Sequence, residues 1–404
     1  MNLENNSENS SENISENPYG EIEGLNAISS WDELDIKSEL LRGIYAQGFE
    51  TPSQIQKVGI APIISGNDVI AQAPSGTGKT ATFSVGALEG IDLSKNTTQV
   101  LILAPTHELV KQISSVITKM GEFMNGLRVK TLVGGTSVME DATDLRMNTP
   151  HIIVGSVGRV NDMIRRKHIQ TQDINLFVLD EADEMLTGDF LENIYSMFQS
   201  FNSKIKIAVF SATIPPEILA ITNKIMKNPT RITMEAEKLN LDGITQHYIS
   251  LESDQGKFET LKDLFGSLST NQTIVYVNSV TRVEDLYDAM KKEGCAVCCI
   301  HSSMTTDQRH TALTEFRNGT YRVLISSNVT ARGIDVQQVS VVINFDIPKC
   351  VHNYLHRIGR SGRWGRKGLA INFVTREDIS AMRHIEEHYK SSITELPSDF
   401  ASIA

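Results

Sequence analysis

Two short stretches carry side chains suited to phosphate chemistry. The first is "APSGTGKT", Ala73 to Thr80, which follows a short apolar run and precedes the helix-forming "TATFSVGALEGI". Gly76 and Gly78 permit the loop Ser75-Gly76-Thr77-Gly78 to wrap, so that backbone N–H groups and the start of the next helix face an anion. Lys79 is then placed to reach the β- and γ-phosphates of a nucleotide, and Thr80 to meet Mg²⁺. Ala73 stands where the usual phosphate-binding pattern has Gly. A glycine-rich turn with no ligand is the plainer alternative.

The second stretch is "NLFVLDEADEML", in which the apolar residues Leu176 to Leu179 run straight into Asp180, Glu181, Asp183 and Glu184. Mg²⁺ takes hard oxygen ligands, and an acid at the end of a strand neighbouring a phosphate loop can hold it. Asp180 is at that position. Glu181, next along, is placed to orient or deprotonate an attacking water. Asp183 and Glu184 have no duty in this minimal scheme. A solvated helix start, where acids suit the macrodipole, explains any one of the four but not their pairing with the phosphate loop.

Both stretches need strands to hold them. Short runs rich in Val and Ile alternate with longer helical patterns, which predicts parallel sheets built from βαβ units. The runs "DVIAQA", "QVLILAP", "HIIVGS", "NLFVLDE" and "IKIAVFSAT" form one series; "QTIVYVN", "CAVCCIHS", "RVLISS", "SVVINFD" and "LAINFV" form another. Each ends in small or polar residues, and open α/β sheets bind ligands at the carboxyl ends of their strands. The expected organisation is an acidic, disordered tail over 1–24, one α/β domain over 25–236, a linker over 237–243 and a second α/β domain over 244–404.

Charge and composition fit a globular chain of two domains. The first 24 residues hold six Glu and no Lys or Arg, so they account for −6 of the formal −11 and leave −5 for the rest. That opening is mostly Asn, Ser and Glu, too poor in apolar groups to offset the entropy of ordering it. It lacks the apolar core of a signal peptide and the Arg of a transit peptide, and no run of about 18 apolar residues occurs. The expected location is cytosolic, or nuclear by a route the sequence does not reveal. Cys295, Cys298 and Cys299 lie near His301. With no second ligand pair at comparable spacing, a buried strand explains them better than zinc.

With "APSGTGKT", "DEAD", "SAT", "ARGID" and "HRIGRSGR" in order, the chain from about Trp31 onward resembles the DEAD-box RNA helicases, and most of all their translation initiation factor 4A subfamily. The resemblance implies two tandem RecA-like domains, ATP and Mg²⁺ as ligands, and RNA as substrate. In "GFETPSQIQ" it implies that Phe49 stacks on adenine and Gln56 bonds its edge; from the residues alone, a core aromatic and a helix-surface amide are the simpler readings. It implies that Ser211 and Thr213 bond Asp183 and couple nucleotide state to closure, supported by His356. It further implies that Asp335 holds the ribose and that Arg360 and Arg363 act as arginine fingers on the γ-phosphate. The RNA contacts it implies are Pro105, Thr106, His107, Gly135, Gly158, Arg159, Asn278, Arg309, Ser327 and Arg332.

Several positions depart from the family pattern. Pro74 stands where relatives often have Gln, Trp31 where Phe is usual, and His107 where Arg is usual. Ser156 and Val157 replace Thr and Pro, Ser302 and Ser303 replace Gly and Asp, and Ser327 and Asn328 replace Thr and Asp. His107 matters most, because Arg is always charged while imidazole, with an ordinary pKa of about 6.5, is mostly neutral at pH 7. A nearby phosphate would raise its pKa. Alternatively His107 turns away and Arg159 or Lys111 carries the charge.

The expected activity is ATP-driven local unwinding of RNA duplexes in translation initiation, by a monomer that meets no membrane and that has a helical-repeat scaffold of the initiation factor 4G type as a partner. An ATP-gated RNA clamp of the exon-junction kind and a DNA-directed phosphate-loop motor remain as alternatives.

Overall fold

The computed structural model describes residues 27–186, 188–234, 244–267, 272–330, 339–361 and 368–397. Its strands form two parallel sheets. The first holds β1 (Val69–Gln72), β2 (Val100–Ala104), β3 (Val129–Leu132), β4 (Ile152–Ser156), β5 (Leu176–Asp180), β6 (Lys206–Ser211) and β7 (Thr230–Thr233). The second holds β8 (Ile244–Ser250), β9 (Gln272–Tyr276), β10 (Val297–Ile300), β11 (Val323–Ser326), β12 (Val339–Asn344), β13 (Gly368–Val374) and β14 (Thr394–Glu395). Spatial orders are β3-β4-β2-β5-β6-β1-β7 and β10-β11-β9-β12-β13-β8-β14. These are tandem parallel α/β units, as the alternating runs predict, and of the RecA-like kind that the resemblance implies.

The period of two along each strand splits its side chains between two cores. Val69, Ala71, Val100 and Ile102 pack on one face of the first sheet, while Ile70, Leu101 and Leu103 pack on the other. In the second sheet Ile274 and Tyr276 face one core, and Val275 and Val277 the opposite one. Strands buried on both faces read as continuous apolar runs, which is why the central ones are visible in sequence. β3, β7 and β14 lie at sheet edges, and β8 lies next to one. "VKTL", "TRIT" and "ITQHYIS" mix polar with apolar residues accordingly, and the apolar-run reading omits them.

Cys298 is buried in β10 and its thiol is pushed up to about 12 by desolvation, while Cys295 and Cys299 are partly buried; all are free. The strand reading of "CAVCCIHS" therefore holds. The expected tail (1–24) and linker (237–243) lie outside the described residues. No described helix is long and apolar enough to cross a membrane.

Candidate active site

The phosphate loop leaves β1 and turns into the helix Lys79–Glu89, with Gly78 at its N-cap. Gly76 has φ 83° and Gly78 φ 102°, conformations that L side chains avoid. A Cβ on Gly78 would also lie 2.5 Å from Gln56 Nε2. Glycine is required there on both counts. Lys79 is buried and donates from Nζ to the Ala73 carbonyl at 2.9 Å, which holds the amine over the loop. Thr77 Oγ1 donates to the Pro74 carbonyl at 2.8 Å, and Ser75 Oγ is buried without a protein partner. A buried hydroxyl inside a wrapped loop is a group in want of a ligand.

Gln56 is buried, not on a helix surface. It closes the capping box of the helix Gln54–Ile64, accepting from Ser53 N at 2.7 Å, and its Nε2 points to the Gly78 carbonyl at 3.4 Å. One amide thus ties the "TPSQ" turn to the phosphate loop. Phe49 is half-buried against the first core, edge-on to the buried Trp31 with ring centroids 6.4 Å apart.

β5 ends at Asp180, which is buried and accepts from Glu181 N at 3.0 Å. Desolvation first, then the Glu181 charge, push the Asp180 carboxyl up to about 7, and Lys79 pulls the other way. The pocket holds more acid than cation, and its hard oxygen donors suit a dication. Glu181 is also buried, with φ 54° and ψ 50°, and caps the short helix Ala182–Met185. A glutamate held in the left-handed region costs about 1–3 kcal/mol, and such strain collects at functional sites.

Asp183 is the junction of the molecule. Its backbone N–H donates to Ser211 Oγ at 3.3 Å, and its Oδ2 accepts from Thr213 Oγ1 at 2.9 Å, both at the end of β6. The same Oδ2 lies 3.1 Å from Nε2 of His356, from the helix Val351–Ile358 beside the second sheet. Arg360 follows that helix, buried, with Nε donating to the His356 carbonyl at 3.2 Å. A second bridge between the halves joins Arg309 to Glu108 at 3.3 Å. Asp335, Arg332 and Arg363 lie outside the described residues.

Between the halves lies a cavity of about 810 Å³. Pro105, Thr106, His107 and Asp183 wall it on the first-sheet side, and Asn278, Arg309, Ser327 and Asn328 on the other. Glu184, which reads in sequence as a solvated helix residue, lines it too.

Residues 53–221 match the DEAD/DEAH box helicase family and residues 256–365 the helicase conserved C-terminal domain. The ATP-dependent RNA helicase eIF4A of Pyricularia oryzae is 47% identical over 388 residues, 96% of this chain and 98% of its own length. The chain belongs to the DEAD-box helicase family. Among solved structures, S. cerevisiae Dbp5 bound to RNA and ADP BeF3 superposes with TM-score 0.86 at 34% identity, covering 93% of this chain and 97% of that one. A variant of Dbp5 bound to Nup159, Gle1, IP6 and ADP gives 0.63 at 32% identity, with 90% and 96% covered.

Within that frame the RNA-facing expectations divide. His107 lines the cavity, and its ring stands by Gly134, where a Cβ would lie 3.4 Å from Nε2. Arg159 is turned away: it pairs with Asp141 and donates to Thr136 Oγ1 at 2.8 Å and to the Thr136 carbonyl at 2.7 Å. Gly135 and Gly158 are likewise not among the cavity's lining residues. His107 therefore lines the groove while Arg159 does not. Its pKa is lowered rather than raised, by burial first and then by Arg309, with Lys111 and Arg159 adding and Glu108 opposing. The residue that sequence reasoning missed is Arg357, whose place next to His356 in "HRIGR" was the only signal.

Proposed function

We infer that the chain is an ATP-dependent RNA helicase of two RecA-like domains, 25–236 and 244–404, that works in translation initiation. The observation that carries this is Asp183, which answers to the ATP pocket through Glu181 and β6 and to the second half through His356. The phosphate loop amides and Lys79 hold the β- and γ-phosphates, with Lys79 exchanging the Ala73 carbonyl for a stronger acceptor. Thr80 and Asp180 would hold Mg²⁺, which when bound draws charge off the phosphate oxygens. Phe49 and Gln56 flank the loop where adenine docks, and Asp335 takes the ribose.

Glu181 orients the attacking water and takes its proton as the new O–P bond forms and the bond to the β-phosphate oxygen breaks, giving ADP and phosphate. Arg360 and Arg363 from the second domain stabilise the charge on the transferred group, so turnover requires closure. Closure also completes the groove between Thr106, His107, Asn278, Arg309 and Ser327. RNA and ATP therefore favour the same closed state and each other.

Hydroxyl and amide groups along the groove suit sugar and phosphate more than base edges, which supports RNA with little sequence preference. The likeness to an initiation factor supports a cytoplasmic role on mRNA and a scaffold of the 4G type as partner. A short RNA duplex with a single-stranded tail tests the activity. Separation of the strands that requires ATP is the expected result; ATP-dependent retention with no separation means a clamp, and equal action on DNA means a different motor.

RNA affinity is expected to rise as pH falls. In the free protein the imidazole of His107, among Arg309, Glu108, Lys111 and Arg159, is neutral at pH 7 because its pKa sits below the ordinary value. Phosphate in the groove favours the charged form, so binding takes up a proton, and affinity gains as pH drops from about 7 through about 6. Kd for single-stranded RNA across that window should slope for the natural chain and flatten in His107→Arg. Parallel profiles would show that His107 does not meet phosphate.

A further inference from the structure

Three histidines that the ATP chemistry does not use gather on the second half of the molecule. His384 and His388 lie four residues apart on the helix Ile379–Tyr389, and both are exposed. Residues at that spacing share one helix face, and a histidine pair so placed is a chelating unit for zinc. A third imidazole comes from another element. His352, in the first turn of the helix Val351–Ile358, stands edge-on to His388 with ring centroids 5.4 Å apart. The centroids of His384 and His388 are 6.5 Å apart. The two helices are joined close by, where the buried Tyr389 donates from its hydroxyl to the Val351 carbonyl at 3.0 Å.

The spacing suits one ion. With Zn–N bonds of about 2 Å, two imidazoles on a tetrahedral ion place their ring centroids about 5 Å apart. His352 and His388 stand close to that separation, and His384 is wider, with an exposed side chain that can swing inward. Among the described residues, the ligand atoms of Glu181, Asp183 and His356 already lie within 4.8 Å of one another, but that group belongs to the ATP pocket and its coupling contact. We propose that His352, His384 and His388 form a second, separate metal site, which takes a divalent transition-metal ion of the zinc class. Imidazole nitrogens suit Zn²⁺, Ni²⁺ and Cu²⁺, whereas Mg²⁺ prefers oxygen. Three of them leave the fourth position of a tetrahedral ion to water. His384 borders an open depression with Arg376, Arg383 and Glu387, so an ion enters from solvent, and the acids of "HIEEH" offset the two arginines. The bound ion ties the start of one helix to the end of the other. His352 lies one turn before His356, so the tie acts on the helix that carries the contact with Asp183.

The site makes no use of the helicase reading and can fail without it. Zinc chloride is titrated into the full-length protein in excess Mg²⁺ and a non-hydrolysable ATP analogue, which keep the carboxylates of the ATP pocket occupied. Saturable binding is expected, with a rise in Tm. His384→Gln and His388→Gln, at positions that do not line the groove, should each weaken zinc binding at least about tenfold, the loss that even an outer-shell partner of a metal brings. Without zinc, both variants should keep the Tm and the ATP turnover of the natural chain, which separates loss of a ligand from loss of fold. Co²⁺ in place of zinc should give the intense visible absorption of a four-coordinate ion in the natural chain and not in the variants. Zinc affinity unchanged in both variants overturns the proposal, as does a zinc-induced rise in Tm that survives in them.

Discussion

Glu181→Gln is expected to slow ATP turnover by about 10²–10⁴-fold while leaving ATP and RNA bound. The substitution keeps the volume and a hydrogen-bonding oxygen but removes the group that takes the proton. Glu181 is the acid whose backbone is held at φ 54°, buried, one residue past the strand end that carries Asp180. On the proposed reading Asp180 serves the metal side and Glu181 the water side. Gln adopts the same backbone at similar cost, so the loss should appear in the rate and not in Tm. Single-turnover hydrolysis beside nucleotide affinity separates the cases: a variant that loses ATP binding as strongly as rate would place Glu181 in binding instead of proton transfer.

His356→Ala is expected to uncouple the two ligands. The imidazole is fully buried at the boundary between the halves, 3.1 Å from an Asp183 oxygen that also accepts from Thr213. That single carboxylate oxygen meets Thr213 just past the end of β6 and His356 from the second domain. Without the ring, the closed state loses a charge-assisted hydrogen bond and its packing, while the phosphate loop and the groove walls remain. Ligand couplings are typically about 5–150-fold, and most of that factor should disappear. RNA Kd with and without a non-hydrolysable ATP analogue measures it. A variant that keeps the full factor would move the coupling to the Glu108–Arg309 bridge.

The parts of the fold visible in sequence were those whose physics is local. β1, β2, β4, β5 and β6 are apolar on both faces and end in small or polar residues, so both their existence and the location of their chemistry could be read. β3, β7, β8 and β14 could not, since they mix polar with apolar residues, whereas β10, also at an edge, is apolar enough to be read. At the site, Lys79, Thr80, Asp180 and Glu181 announce themselves by type and spacing, and the junction of Asp183 with Thr213 and His356 was reachable only through the family resemblance.

The burial of Arg357, the cavity position of Glu184 and the orientation of Arg159 lie beyond what the sequence shows. Arg357 looks like one more surface cation in "HRIGRSGR", and only the fold reveals it as buried among Asn278, Asn328 and Asn344. Arg159 looks like a groove cation, and only the fold shows Asp141 and Thr136 claiming it. For His107 the sequence reading considered only what phosphate would do to the ring, and the fold adds burial and the cations Arg309, Lys111 and Arg159, which lower its pKa in the free protein. Long-range neighbours decide charge, and one sequence does not list them.

If closure joins the two sites, the free-energy cycle of the intact protein must balance. Titrating single-stranded RNA with and without a non-hydrolysable ATP analogue, and the analogue with and without RNA, gives the factor twice. Equal factors well above one in both directions are predicted, with single-stranded DNA giving little. Affinities for nucleotide and RNA that are independent of each other would contradict a shared closed state built on Asp183 and His356.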